Sequence, residues 1–469
     1  MNINKKKIYL NFIFLLINVL LLITDIEHIN SIIMANILIY IIIFVNLKNG
    51  NIFSPISLFS VMYITAPASV YYLLLEGLEN SHFIEVYSSY NLFFDYLPYT
   101  IFLFLIGYIA YAVGYFSFLK KSKQYYSESF SIDNLVLKYF IIIFMTITLV
   151  NFLYIVFSTT GNPLTYFRQM SVNRYIYTTE LSTFGYNFGV FSIYLYQYYL
   201  LKNNKKPSII FISSSMLMLI IKASAGRIFQ TMATILIILG IFYTFSMITD
   251  KNTKYSKYIL FTVTFGIIIY VFRAAGSFYF HGGYDTFIDA VYDIISRLTY
   301  YIFGRGNVVN IAIVPYILNN WESDYGTYLY GSSALSGLVK FFPFLKETFP
   351  STSYLIKNLW FEDIIGGALP PTCIGELYIN FGLIGTVIGM LIMGIISSIL
   401  FNIYSNKVSF IKTIIYMHFV CFFILLFPKT DFSSFPFFEI FFSLLMFILV
   451  LFISEYFRRK QNDSSSCLR

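Results

Sequence analysis

Apolar runs of about 15 to 24 residues recur along the whole chain, separated by polar intervals. An α-helix needs about 20 such residues to cross a bilayer. Twelve spans are predicted, at roughly 8–24, 32–47, 52–75, 96–119, 136–158, 184–201, 208–221, 228–248, 258–272, 376–401, 411–427 and 435–454. The seventh is short. One polar interval is far longer than the rest, 273–375, between spans nine and ten. Within it, 285–303 has the period of an amphipathic helix. Phe287, Val291, Ile294, Leu298 and Ile302 share one face; Asp285, Asp289, Asp293, Ser296 and Arg297 share the other. The apolar stretches 307–318 and 333–345 are too short to span, and are expected to pack on the outer membrane surface or on the bundle. The pattern predicts an all-α polytopic membrane protein with about 12 transmembrane helices. Residues 1–272 form helices one to nine, 273–375 a large, partly helical outer loop, 376–454 helices ten to twelve, and 455–469 a tail.

Composition agrees. The chain is 58% hydrophobic and 12% charged over 469 residues, where a soluble domain carries about 25% charged residues. Aromatic residues make up 21%. They suit membrane interfaces, but an AT-rich genome also favours Phe and Tyr, along with Ile, Asn and Lys. Charge then orients the spans, because lysine and arginine accumulate on the cytoplasmic side. Lys5, Lys6 and Lys7 precede the first span; Lys48, Lys120, Lys121, Lys123, Lys202, Lys205, Lys206, Lys251, Lys254, Lys257, Lys407 and Lys412 fall in or beside alternate loops; Arg458, Arg459 and Lys460 follow the last span. Placing these inside together with Lys138 and Arg469 puts 20 Lys+Arg and 5 Asp+Glu in the cytoplasm, against 11 and 18 outside. Removing the short seventh span breaks the alternation, so it is retained and both termini are expected inside. The first span is expected to serve as an uncleaved signal anchor, since no small-residue cleavage site follows it.

The outer side holds Arg168, Arg174, Arg227, Arg273, Arg297 and Arg305, with Lys222, Lys340, Lys346, Lys357 and Lys429. Lysine dominates inside. A guanidinium offers a rigid fork of donors that binds phosphate oxygens bidentately, and charges set against the positive-inside tendency are candidates for function. Arg227 ends the turn "KASAGR", and Arg273 closes span nine before Ala-Ala-Gly-Ser. Snorkelling to lipid headgroups is the alternative for both. Arg297 lies four residues after Asp293 and can pair with it. Arg305 is flanked by Gly304 and Gly306. Arg168 and Arg174 share one outer loop, where ordinary surface charge is the alternative. Several arginines meeting at headgroup height would fit a lipid-linked diphosphate.

Glu376 follows Pro370-Pro371, which allow a helix to begin after them. It is expected in the first turn of span ten on the outer side. There it is either a carboxylate favoured by the helix dipole or a general base for a hydroxyl. His281 and Asp285, in "FYFHGGYDTF", are the rival bases. Gly385 and Gly389 form a GxxxG pair, expected to hold span ten close against another helix. The three cysteines have no metal or disulfide spacing. No metal signature is present, and Glu322-Ser323-Asp324 faces outside, where nucleotide sugars are scarce. Neither GxxxxGK[ST] nor GxGxxG occurs. No cofactor, metal or nucleic-acid partner is expected.

These features together resemble the O-antigen polymerases, or oligosaccharide repeat unit polymerases (the Wzy family). They are the twelve spans, the large loop before the last three, Gly226-Arg227 opening a span, Arg273 closing one, and Pro371, Gly375, Glu376, Phe381, Gly382 and Gly385 in sequence. Arg174 and Gly185 have the Arg-x10-Gly spacing of some members; Arg273, Arg297 and Arg305 do not. The resemblance implies a GT-C-like glycosyltransferase of the bacterial inner membrane, with its active site facing the periplasm. Donor and acceptor would be oligosaccharides on undecaprenyl diphosphate, and a chain-length regulator would be a partner. Arg227, Arg273, Arg297 and Arg305 would hold the leaving diphosphate, with Arg174 and Arg168 as further candidates. Glu376, His281 or Asp285 would be the base. A flippase or other transporter, an O-antigen ligase, and a non-catalytic polysaccharide-binding protein are the alternatives.

Overall fold

The structure, a computed structural model, describes residues 54–63, 90–120, 132–161, 180–203, 284–296, 306–340, 342–345, 347–360, 369–406, 409–420, 423–424, 427–429, 431–432 and 437–466, with scattered positions elsewhere. Among them every regular element is helical. In chain order these are α1 (Pro55–Tyr63), α2 (Tyr90–Phe118), α3 (Asn134–Thr160), α4 (Glu180–Lys202), α5 (Phe287–Ser296), α6 (Gly306–Tyr325), α7 (Thr352–Trp360), α8 (Thr372–Asn406), α9 (Phe410–Phe419) and α10 (Phe437–Ser466). Short 3-10 helices occupy Ser332–Lys340, Pro343–Leu345 and Phe427–Lys429.

Among the described residues, four stretches are long and apolar enough to cross a membrane: Tyr99–Phe118, Asn134–Ser158, Thr372–Ser405 and Ile440–Arg459. They coincide with the expected spans four, five, ten and twelve. Helix α4 covers the sixth, and α1 part of the third. The first, second, seventh, eighth and ninth lie almost wholly outside the described residues. In the expected eleventh span, α9 ends at Phe419; Val420, Phe423 and Ile424 are π-helical, and a 3-10 turn follows at Phe427–Lys429. Helix α10 runs on to Ser466, so most of the expected tail is helical.

The chain divides into two compact units. In one, α3 packs along α4 and α10. Asp133 caps α3 by accepting from the Leu135 and Val136 amides at 2.7 and 3.3 Å, and Gly161 ends it at φ 66°. Helix α5 buries Ala290 and Ile294 and exposes Ile288, Tyr292 and Ile295. The buried face therefore contains Ile294 as expected, while Phe287 and Val291 are half-buried at its edge.

The other unit contains α1, α2, α6, α7 and α8. Helices α2 and α8 touch backbone to backbone. A Cβ at Gly394 would lie 2.1 Å from the Tyr111 carbonyl oxygen, and one at Gly114 would lie 2.3 Å from that of Leu391. Small residues at both positions are what let the helices approach. Helix α6, expected to be too short to span at 307–318, extends to 20 residues across Pro315 and packs on α2 and α8.

Helix α8 is interrupted. Gly382 has φ 68° and ψ −168°, a conformation open essentially to glycine alone. Ile374 and Met390 show how sharp the turn is. In a continuous helix, sixteen residues would separate them by about 24 Å. Instead, the Ile374 Cδ1 and Met390 Cγ atoms lie 2.8 and 3.4 Å from the position a Cβ would take at Gly107 of α2. The limb before Gly382 thus folds back along the limb after it. The GxxxG pair serves this corner and not the packing of another helix: the space at Gly385 is filled by Phe381, and that at Gly389 by Leu377. The limb after Gly382 keeps about 24 residues, enough to cross a bilayer unaided.

Gly394→Ala has no room for its methyl group unless the α2 and α8 backbones separate. It is expected to lower stability by about 1–3 kcal/mol, as overpacking does. Thermal unfolding of the detergent-solubilised protein checks this; an unchanged melting temperature would refute the backbone contact.

Candidate functional site

The short limb of α8 is set between two firm ends. It begins just after Pro370-Pro371, as expected from the ring's inability to extend a helix from upstream. Thr372 heads it at φ 64°, which is strained for a β-branched residue. At the other end, the interruption at Gly382 leaves the carbonyls of Ile379 and Asn380 without the amides a continuing helix would supply. The Leu329 and Tyr330 N–H groups donate to them at 3.1 and 3.0 Å. Gly331 N–H donates to the Asn380 side-chain oxygen at 3.0 Å. The segment 329–331 is thereby fastened to the limb by three hydrogen bonds.

Glu376 lies one turn into this limb, slightly deeper than expected, and is fully buried. Burying a carboxyl group is costly unless donors surround it. Ser333 donates to its Oε1 at 2.5 Å, Thr352 donates to its Oε2, and the Asn380 amide approaches Oε1 at 3.4 Å. Asn380 also donates to Ser333 Oγ at 2.7 Å, holding that hydroxyl in place. All three donors are themselves buried.

A second acid completes the cluster. Asp431, 2% exposed, accepts on Oδ2 from Ser351 Oγ at 2.7 Å, Ser353 Oγ at 2.7 Å and the Ser353 N–H at 3.1 Å. Thr352 Oγ1 stands 3.4 Å from the same oxygen. Ser351 precedes α7, and its carbonyl accepts from the Tyr354 and Leu355 amides. Asp431 is therefore a carboxylate at the N-terminus of α7, where orphan amides and the helix dipole favour it. Ser351-Thr352-Ser353 bridges two acids, Asp431 through its outer pair and Glu376 through Thr352. Two more hydroxyls belong to the neighbourhood. Ser336 is one 3-10 turn beyond Ser333, and Thr372 is one α-turn before Glu376. Both oxygens are buried and have no hydrogen-bond partner among the described residues.

Of the site residues expected from sequence, Glu376 is in this cluster. Asp285 is exposed at the start of α5. Arg168, Arg174, Arg227, Arg273, Arg297, Arg305 and His281 lie outside the described residues. Asp293, the expected partner of Arg297, accepts from Tyr284 OH at 2.7 Å. Glu322 and Asp324 accept from Tyr328 OH and Trp360 Nε1 respectively. Sequence reasoning missed Asp431, Ser333, Thr352 and Asn380. The signals were slight: a helix-capping Ser-Thr-Ser after Pro350, and one acid in the short outer segment 428–434. Compared with known family models, curated proteins and solved structures, the chain matches none.

Asp431→Ala removes the shared acceptor of Ser351 and Ser353 and leaves buried donors unmet, at about 1–3 kcal/mol for each. The variant is expected to melt at lower temperature and to be cleaved faster by protease within 332–371. Wild-type melting and cleavage would show that Asp431 does not hold α7.

Proposed function

We propose that the protein is an O-antigen polymerase, a membrane glycosyltransferase that joins oligosaccharide repeat units carried on undecaprenyl diphosphate. The acceptor's non-reducing-end hydroxyl attacks the donor's anomeric carbon; a C–O bond forms there as the bond to the diphosphate breaks. The hydroxyl proton goes to a base, and the leaving diphosphate is stabilised by cations. Glu376 is the base in this reading. The observation that supports it is the setting of that acid: wholly buried on an interrupted limb, held by Ser333 and Thr352 of the segment that sequence puts outside the membrane. A group fixed on rigid elements by neighbouring hydrogen bonds is suited to catalysis. Arg227, Arg273, Arg297 and Arg305 are the proposed diphosphate ligands. Twelve spans, a periplasmic site and an inner-membrane location complete the proposal.

A carrier for the same lipid-linked glycan is the second reading. The interrupted helix favours it, since transporters build their sites from discontinuous helices with buried polar groups.

Deleting the gene in its host separates the two. Lipid A core bearing a single repeat is expected if polymerisation is lost; bare core would mean a carrier or a ligase. Substituting Arg273 by Ala is expected to slow chain growth about 10²–10³-fold, as loss of one charge-stabilising donor does. Full-length chains from Arg273→Ala or Glu376→Gln protein at normal abundance would remove those residues from the site.

A further inference from the structure

The two elements that cover Glu376 each have an inner and an outer face. The 3-10 helix Ser332–Lys340 has three residues per turn, so Ser333 and Ser336 share a face. Both are buried, and Ser333 donates to Glu376. Leu335, on another face, is exposed. Helix α7 is divided in the same way: Thr352, Ser353 and Ile356 are buried, while Tyr354 and Leu359 are exposed. Between the two elements runs Lys340-Phe-Phe-Pro-Phe-Leu-Lys346. Its 3-10 helix Pro343–Leu345 packs with Ser332–Lys340. Phe342 and Phe344 meet edge to face at 5.9 Å, and Phe344 is 78% exposed. An aromatic tip of this kind marks a contact surface.

Position says what receives it. The segment 329–331 is fastened to the corner of α8, where the Phe381 ring lies 3.1 Å from the place of a Cβ at Gly331. Past the corner, about 24 residues of α8 run for about 36 Å. The hydrocarbon core is about 30 Å thick, so the corner stands at a membrane surface. Ile384, Ile388, Ile392 and Ile396, about one per turn, are exposed along that limb, the stripe that hydrocarbon covers in a span. At its corner end Phe381 and Leu383 are exposed too. Tyr330, hydrogen-bonded there through its amide, has φ 50° and is 75% exposed. The lipid-facing stripe thus meets the outer segment at Tyr330, just upstream of Leu335 and Phe344. Charge agrees. Interfacial anchors join aromatic and aliphatic side chains to basic residues that meet anionic headgroups. Lys340 and Lys346 bracket the aromatic run in sequence. Over 326–360, Lys340, Lys346 and Lys357 stand against a single acid, Glu347, although the expected outer side as a whole is acidic.

We propose that the Phe342–Leu345 tip docks into the phospholipid leaflet that the α8 corner meets, and that this docking holds the two covering elements against Glu376. The tip lies in the link between the element of Ser333 and that of Thr352, the two hydroxyls that donate to the Glu376 carboxyl. A tip fixed in lipid restrains both ends of the cover at once. The docking requires no glycosyl transfer.

Fluorescence of the purified full-length protein in nanodiscs of phosphatidylethanolamine and phosphatidylglycerol tests this without any activity. Phe344→Trp replaces one exposed aromatic ring by another. The emission it adds over wild type is expected to be lost when the lipids carry bromine on their acyl chains, and to be unaffected by aqueous iodide. Ile388→Trp, on the α8 stripe, should behave alike; if it does not, the stripe is not lipid-facing and the docking falls with it. Emission at Phe344→Trp that iodide quenches and brominated lipid spares would place the tip in water. Emission shielded from both would mean that a second copy or another protein covers it. Either result overturns the proposal. The hold on the cover is read by amide hydrogen exchange in the same nanodiscs. Phe344→Asp is expected to speed exchange over 332–340 and 352–360, and unchanged exchange there would refute the restraint.

Discussion

A helix interrupted in apolar surroundings leaves carbonyl groups that water cannot reach, and these must find amides elsewhere. At Gly382 the groups are those of Ile379 and Asn380, and the segment 329–331 satisfies them. That obligation draws in the rest of the site. Once 329–331 is tied to the limb, Ser333 follows at once in sequence and meets Glu376. The site is thus organised by a backbone requirement before any side-chain chemistry enters.

The second level is the meeting of two acids around Ser351-Thr352-Ser353. Among the described residues, hydroxyls and amides donate to both carboxyl groups, and each of these donors comes from a different part of the chain than the acid it serves, save Asn380. Such a network is cohesive only when fully satisfied. It makes α7 and the 3-10 helix Ser332–Lys340 a lid over Glu376, whose side chain has no exposed surface. Anything outside the cluster reaches the Glu376 carboxyl only when these elements part from it. Opening the lid and freeing the acid are therefore one event, because the groups that shield Glu376 are also the groups that bind it.

The glycines of α8 show how one motif serves different ends. A GxxxG pair ordinarily marks contact between two helices. Gly385 and Gly389 instead admit Phe381 and Leu377 of the same helix, folded back at Gly382. The contact with α2 is made one turn later, at Gly394 against Tyr111. Spacing alone does not distinguish a partner helix from a returning limb, since both need the same gap in the side-chain surface.

The sequence by itself determined the helical class, the positions of the spans in α2, α3, α8 and α10, the start of α8 after Pro371, and Glu376 as an acid out of keeping with its apolar surroundings. Each follows from local chemistry: apolar length, proline's fixed ring, one charge in a hydrophobic run. Only the tertiary structure decided the fold-back at Gly382 and the partners of Glu376. Thr352 is 24 residues from Glu376 in sequence and 79 from Asp431, and Ser333 is 43 away from Glu376. No periodic pattern links positions so far apart. Serine and threonine are common in loops, and their hydroxyls become part of a site only when burial removes the water that would otherwise satisfy them.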